Sequence, residues 1–344
     1  MYQYHTLDNG IRIVFRRNAS KVAYSGVYLN VGSRDESPAE EGLAHFIEHS
    51  IFKGTEHRKS YHILNRIDGV GGELDAFTTK EETCIYASAL TEHMDRCLEL
   101  FADIIFHSTF PAKELNKERD VVLEEIDLYK DTPAELIYDD FEEYAFAGHP
   151  IAHNILGPKK NVKRFSTQHL RQFFDRNYTT DRMVVTVVGD VDFRRLVRLC
   201  ERHFGQYPRK ESAATRDKKP QYNVFHETIS RHTHQVHLMV GGLAPDAFSD
   251  KKTAFTLLNN IVGGPAMNSR LNVAVREKYG FCYTIESQYV PFSDTGLFYI
   301  YAGVDEEAKE RTIDLILHEL ERFRNTPLSD VALRAAQRQL QIMW

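Results

Sequence analysis

Two stretches far apart in this 344-residue chain share one pattern. TCIYASALTEHMDRCLELFADII (83–105) lines up with LFYIYAGVDEEAKERTIDLILHEL (297–320), setting Ile85-Tyr86-Ala87 over Ile300-Tyr301-Ala302. In each, a strand-like run gives way to an amphipathic helical period. Self-similarity of this kind points to a duplicated domain. The second copy stops early, because nothing after residue 320 matches the strand DRMVVTVVGDV (181–191) and the helical pattern that follows it at 192–204.

The remaining elements fit that division. Residues 11–15 and 23–31 read as strands, rich in Val, Ile and Tyr. Ser37, Pro38 and Glu40 form a capping-box start with proline at the first helical position, and Gly54 marks a stop, which predicts a helix of about four turns. Further helical periods cover 60–68, 91–106 and 111–130, with one or two strands at 75–90. A polar, breaker-rich stretch, GQYPRKESAATRDKKPQY (205–222), reads as a linker, after which a strand (233–241) and a helix (248–262) begin the pattern again. The expected layout is α+β, with a first domain at 1–210, a linker at 211–222 and a second domain at 223–344 that is incomplete at its C-terminus.

Composition narrows the partners. A net charge of -6 offers no basic patch of the size that nucleic acid or anionic lipid would require. No run approaches about 18 consecutive apolar residues, and the N-terminus has no export-signal pattern, so no membrane partner is expected. Cys84, Cys97, Cys200 and Cys282 are scattered without a CxxC pair, which fits small buried hydrophobes in a reducing cytoplasm.

The chemistry concentrates at GLAHFIEHSIFKG, residues 42–54. On a helix, His45 and His49 stand four residues apart with Cβ atoms about 5–6 Å from each other, so both imidazoles can reach one ion. Glu48 lies beside them, where it could hold a water. Apolar neighbours Ala44, Phe46, Ile47 and Ile51 imply a partly buried helix on which unpaired polar groups would be costly. The other reading is an exposed helix face bearing two histidines and a glutamate. A hydrolytic zinc needs three protein ligands and an open position, so a third ligand is expected on another element.

H-x-x-E-H is the inverzincin signature, and over almost its whole length the chain resembles the pitrilysin-type peptidases, specifically the branch of the mitochondrial processing peptidases and their bacterial relatives. The motif E-R-D-V-V-L-E-E-I (118–126) resembles the family segment that carries the third ligand, 76 residues beyond His49. The resemblance implies zinc, one ion per chain, held by His45, His49 and Glu125, with Glu118 two helical turns earlier in a supporting role and Glu124 facing elsewhere. It implies a fold of two homologous α/β-sandwich-like domains, each a mixed sheet covered by helices. G-G-E-L-D-A-F-T-T-K (71–80) resembles the family's edge strand, making Asp75, Ala76, Phe77 and Thr78 candidates for pairing with an extended peptide. S-R-L-N-V-A-V-R-E-K-Y-G-F-C-Y (269–283) resembles the segment whose arginine and tyrosine reach the substrate, here Arg276 and Tyr283. F-A-G-H-P (146–150) and V-V-G-D-V (187–191) also match and are read as architectural.

What the resemblance implies is zinc-dependent endopeptidase activity on extended oligopeptides or unfolded segments. Zinc would bring the pKa of its bound water to about 7, and Glu48 would take the proton and return it to the leaving amine. Tyr283 would donate to the developing oxyanion and Arg276 would anchor a backbone carbonyl. Having the metal motif and the Arg/Tyr pair in one chain suggests a homodimer, or a heterodimer with a related subunit. Members of this branch are usually longer, and the sequence reading is that metal binding survives the shorter second domain while the chamber and the dimer are impaired. Two readings compete: a catalytically inactive subunit or structural paralogue, against which all four positions are filled, and a zinc-stabilised binding module, for which no fourth ligand is found.

Overall fold

The computed structural model describes residues 1–343 apart from Ala214, Asp217 and Lys218. The chain divides into two compact units, Met1–Leu128 with His153–Asp217, and Tyr129–Ala152 with Lys218–Trp344.

The first unit is built on six strands, β1 (Tyr2–Thr6), β2 (Arg12–Arg17), β3 (Val22–Leu29), β4 (Glu73–Thr78), β5 (Thr83–Leu90) and β6 (Met183–Gly189), in the order β1-β2-β6-β3-β5-β4. β2 and β6 run parallel and every other pair is antiparallel, so the sheet is mixed. Alternation along β5 sends Ile85, Ala87 and Ala89 into the core. The helices of the unit are α1 (Leu43–Ser50), α2 (Ser60–Asp68), α3 (Met94–His107), α4 (Ala112–Lys130, of which the last two residues fall in the other unit), α6 (Lys159–Val162), α7 (Thr167–Asn177) and α8 (Phe193–Phe204); α5 belongs to the other unit. One core joins sheet and helices, with Phe15, Val27, Ile85, Phe101, Leu98, Phe173 and Phe204 among its buried members.

The helix expected from Ser37 to Gly54 is shorter than the sequence suggests. Ser37 and Glu40 do make the capping contacts, with Ser37 N–H and Oγ at 3.0 and 2.8 Å from Glu40 Oε2. But Gly42 adopts φ +93°, which ends that turn, and α1 begins only at Leu43. A Cβ at Gly42 would lie 2.5 Å from the carbonyl oxygen of Leu156, and one at Gly157 (φ +66°) 2.2 Å from that of Glu41. These two glycines let the chain segments interlock. The orphan N–H groups at the start of α1 are satisfied from outside by the buried carboxylate of Glu36, which accepts from Gly42 at 2.9 Å and Ala44 at 2.6 Å and faces His153 Nε2 at 2.9 Å. Burial pushes the Glu36 pKa up against those partners.

α1 is anchored on its other side by Phe46, which is fully buried and packs on Phe165 with ring centroids 5.6 Å apart. Phe46→Ala should lower the stability of this unit by about 3–5 kcal/mol, read as a fall in the urea midpoint. A loss below about 1 kcal/mol would mean that the site collapses around the cavity or that the packing is looser than described.

The second unit holds α5 (Pro133–Ala145), β7 (Val236–Leu243), α9 (Lys252–Gly263), β8 (Cys282–Pro291), β9 (Gly296–Val304), α10 (Lys309–Asn325) and α11 (Asp330–Met343). Its strands are antiparallel in the order β7-β9-β8, the same arrangement as β3-β5-β4 of the first unit. β9 is central and leads into α10, as β5 leads into α3. The duplication read from residues 83–105 and 297–320 is therefore structural, and the chain is α+β with two related halves. Among the described residues, no strand of the second sheet takes the place that β6 has in the first. α9 begins at Lys252 rather than 248, because Ser249 and Asp246 cap turns just before it.

Residues 129–152, which the sequence reading left within 1–210, group with the second unit. Phe141, Ala145, Phe146, Ile151 and Ala152 share a core with Phe292, Leu297 and Tyr299. The stretch up to residue 216 stays with the first unit: the Arg216 guanidinium bonds Asp35 Oδ2 at 2.6 Å and the Glu81 carbonyl at 2.8 Å. Of the linker expected at 211–222, residues 214, 217 and 218 lie outside the described residues, as does Trp344 of the second domain. All four cysteines are buried and unpaired, and among the described residues no helix is long and apolar enough to cross a membrane.

Candidate metal centre

α1 and α4 each contribute to one cluster. His45, His49 and Glu125 offer three ligand atoms that all lie within 4.8 Å of one another. Helical spacing brings the two imidazoles edge to face, with ring centroids 4.6 Å apart at 67°. Glu125 reaches both, Oε1 standing 3.6 Å from His45 Nε2 and Oε2 3.4 Å from His49 Nε2. Those separations are long for hydrogen bonds. They match the spacing of two ligands on one tetrahedral zinc, which at bond lengths of about 2.0–2.2 Å stand about 3.4 Å apart. Glu125 Oε2 and His45 Nδ1 are buried with no hydrogen-bond partner, a costly state for polar atoms that a cation between the side chains would relieve in part.

The electrostatics suit a cation. Burial, together with the neighbouring His49, lowers the pKa of His45 to about 4, so its imidazole is neutral and keeps a lone pair. Burial also works to lower His49, but Glu125, Glu48 and Glu118 outweigh it and raise its pKa. Glu125 is held below the ordinary carboxylate range by the facing histidines. Behind His49, Glu118 Oε2 stands 3.5 Å from Nδ1, and its other oxygen is bound by Lys53 Nζ at 2.8 Å. The sequence reading did not single out Lys53, which sits four residues beyond His49. Glu124 is exposed, as its rotation from Glu125 predicts.

Glu48, on the same helix, is largely buried. Its pKa is raised by that burial, against a hydrogen bond with Thr78 that lowers it. Thr78 closes β4, and β4 is an edge strand of the sheet. Asp75, Ala76, Phe77 and Thr78 therefore line an edge beside Glu48, with Asp75 taking a hydrogen bond from Tyr86 Oη at 3.1 Å. In the second unit, Arg276 lies in a π-helical turn (Asn272–Glu277), and its guanidinium stands 5.4 Å above the Tyr283 ring. Tyr283 falls at a bulge between β8 and β9, and the residue is 82% exposed.

A helix bearing H-x-x-E-H, a glutamate from a second helix and a related second half define a metallopeptidase type of chain. Residues 12–159 match the model of the insulinase group, peptidase family M16, and residues 164–340 match that of the peptidase M16 inactive domain. An uncharacterized zinc protease of Bacillus subtilis, YmxG, is 34% identical over 341 residues, covering 99% of this chain and 83% of that protein. The uncharacterized zinc protease SCO5738 of Streptomyces coelicolor is 33% identical over 346 residues, covering 98% of this chain and 75% of the other. The chain belongs to peptidase family M16, the pitrilysin type. Its fold is shared with the peptidase M16 inactive domain from Pseudomonas fluorescens (TM-score 0.93, 22% identity, 99% of this chain and 83% of that one). It is shared also with a protease from Helicobacter pylori (TM-score 0.90, 23% identity, 99% and 84%).

Proposed function

We propose that this chain is a zinc-dependent endopeptidase of the processing-peptidase branch, acting in the cytoplasm on extended oligopeptides or unfolded segments. The observation that carries the reading is the convergence of His45, His49 and Glu125 ligand atoms within 4.8 Å, with the partly buried Glu48 beside them. Two imidazoles and a carboxylate from three positions form the donor set of hydrolytic zinc sites with an open fourth place. When bound, zinc supplies Lewis acidity and makes water nucleophilic at neutral pH.

The chain's own residues do the rest. Glu48 accepts the proton of the attacking water and returns it to the leaving amine, with Thr78 of the β4 edge beside its carboxyl. Glu118, held by Lys53, orients His49 from behind. The outer edge of β4 aligns the substrate backbone by strand addition. Arg276 and Tyr283 are the further substrate-contacting pair, brought to the site by a second copy of the chain or a related subunit. In this reading the first unit carries the metal chemistry and the β4 edge, and the second unit carries the Arg276 and Tyr283 pair.

Removal and return of metal tests this reading. Chain dialysed against a chelator should lose peptide hydrolysis and recover it with about one equivalent of zinc. Hydrolysis that persists in metal-free protein would overturn it. The inactive-paralogue reading is disfavoured because all four chemical positions are filled.

A further inference from the structure

We propose that Glu56, His57 and His107 form a second site for a divalent transition metal, sharing no residue with the group on α1 and α4. One ligand atom from each lies within 4.8 Å of the others. Glu56 and His57 belong to the loop after α1, and His107 is the last residue of α3. The two segments are already tied by backbone: Glu56 N–H donates to the His107 carbonyl at 2.9 Å, Thr109 N–H to that of Gly54 at 2.9 Å, and Thr55 bridges Ser108.

Both imidazoles are oriented from behind. His57 Nδ1 lies 2.6 Å from Oδ1 of the buried Asp103, whose other oxygen accepts from Thr55 Oγ1 at 2.9 Å and Arg58 at 2.6 Å. With Asp103 fixed by those donors, its contact with His57 Nδ1 holds the proton there and leaves the Nε2 lone pair for a cation. His107 is placed similarly. Its Nε2 stands 2.7 Å from Tyr207 Oη, while Nδ1 faces Glu56 Oε2 at 3.3 Å. With Tyr207 accepting from Nε2–H, Nδ1 presents its lone pair towards Glu56. Carboxylate–histidine pairs of this kind are the usual outer support of metal ligands. The rings stand 4.5 Å apart at 75°.

Two imidazoles and one carboxylate select zinc, cobalt, nickel or copper over magnesium or calcium. Glu56 and His57 are exposed, so this site exchanges with solution more readily than the buried one. Filled, it clamps the loop that follows α1 to the end of α3.

Equilibrium dialysis of the full chain against zinc alone tests the proposal. The parent should show a second, weaker class of one ion, present also in Glu125→Ala and absent from the His57→Gln, His107→Gln double variant. Tyr207→Phe, which keeps the ring stack on Phe106 (centroids 3.6 Å apart), should weaken that class by about 10–100-fold. Should the double variant fail to fold, the exposed Glu56→Gln carries the same test. A single class in the parent, or a second class indifferent to all these changes, overturns the proposal.

Discussion

Glu48→Gln should lower peptide hydrolysis by about 10²–10⁴-fold, the ordinary contribution of a positioned general base, while zinc content is unchanged. Glutamine keeps the size of the side chain and its hydrogen-bonding capacity towards Thr78, but it cannot take a proton. Because Glu48 is not among the three clustered ligand atoms, metal affinity and turnover should separate in this variant. Steady-state hydrolysis and metal analysis on one preparation read both. Parallel loss of zinc and activity would make Glu48 a ligand rather than a base, and full activity would move the base elsewhere.

Glu125→Ala should act on the metal itself. It removes the one carboxylate that faces both imidazoles and leaves two histidines on a single helix. Zinc retained after dialysis against a weak chelator should fall from about one ion per chain to near none, with hydrolysis lost in step. The first unit should still fold, because Glu125 is only half-buried on α4 while Val122 and Ile126 make that helix's core contacts. Zinc retained in this variant would mean that the ion sits elsewhere.

Much of this was legible in the sequence, for physical reasons that differ from one element to the next. Helical spacing alone brings His45 and His49 together, and the text around Glu125 resembles a known segment closely enough to join a helix 76 residues away. The repeated strand and helix carried the duplication, since β5 with α3 and β9 with α10 keep the same apolar periods. The break at Gly42 was not legible. Its positive φ is dictated by Leu156 and Gly157, more than a hundred residues on, and the N–H groups of α1 are capped by Glu36 rather than by Ser37. α5 and α7 were likewise passed over, and the grouping of residues 129–152 with the second unit depends on Phe141 and Phe146 meeting Phe292 and Tyr299. No local pattern reports such pairing. The cluster of Glu56, His57 and His107 escaped for the same cause, because α2, two strands and the length of α3 separate its two histidines.

The most direct measurement is hydrolysis of a quenched fluorescent peptide library by the parent chain, with zinc quantified in the same sample. The account predicts cleavage of extended peptides by protein carrying tightly bound zinc, abolished by chelation. Zinc held at His45, His49 and Glu125 without cleavage of any member would contradict it, and would make the chain a structural member of its family.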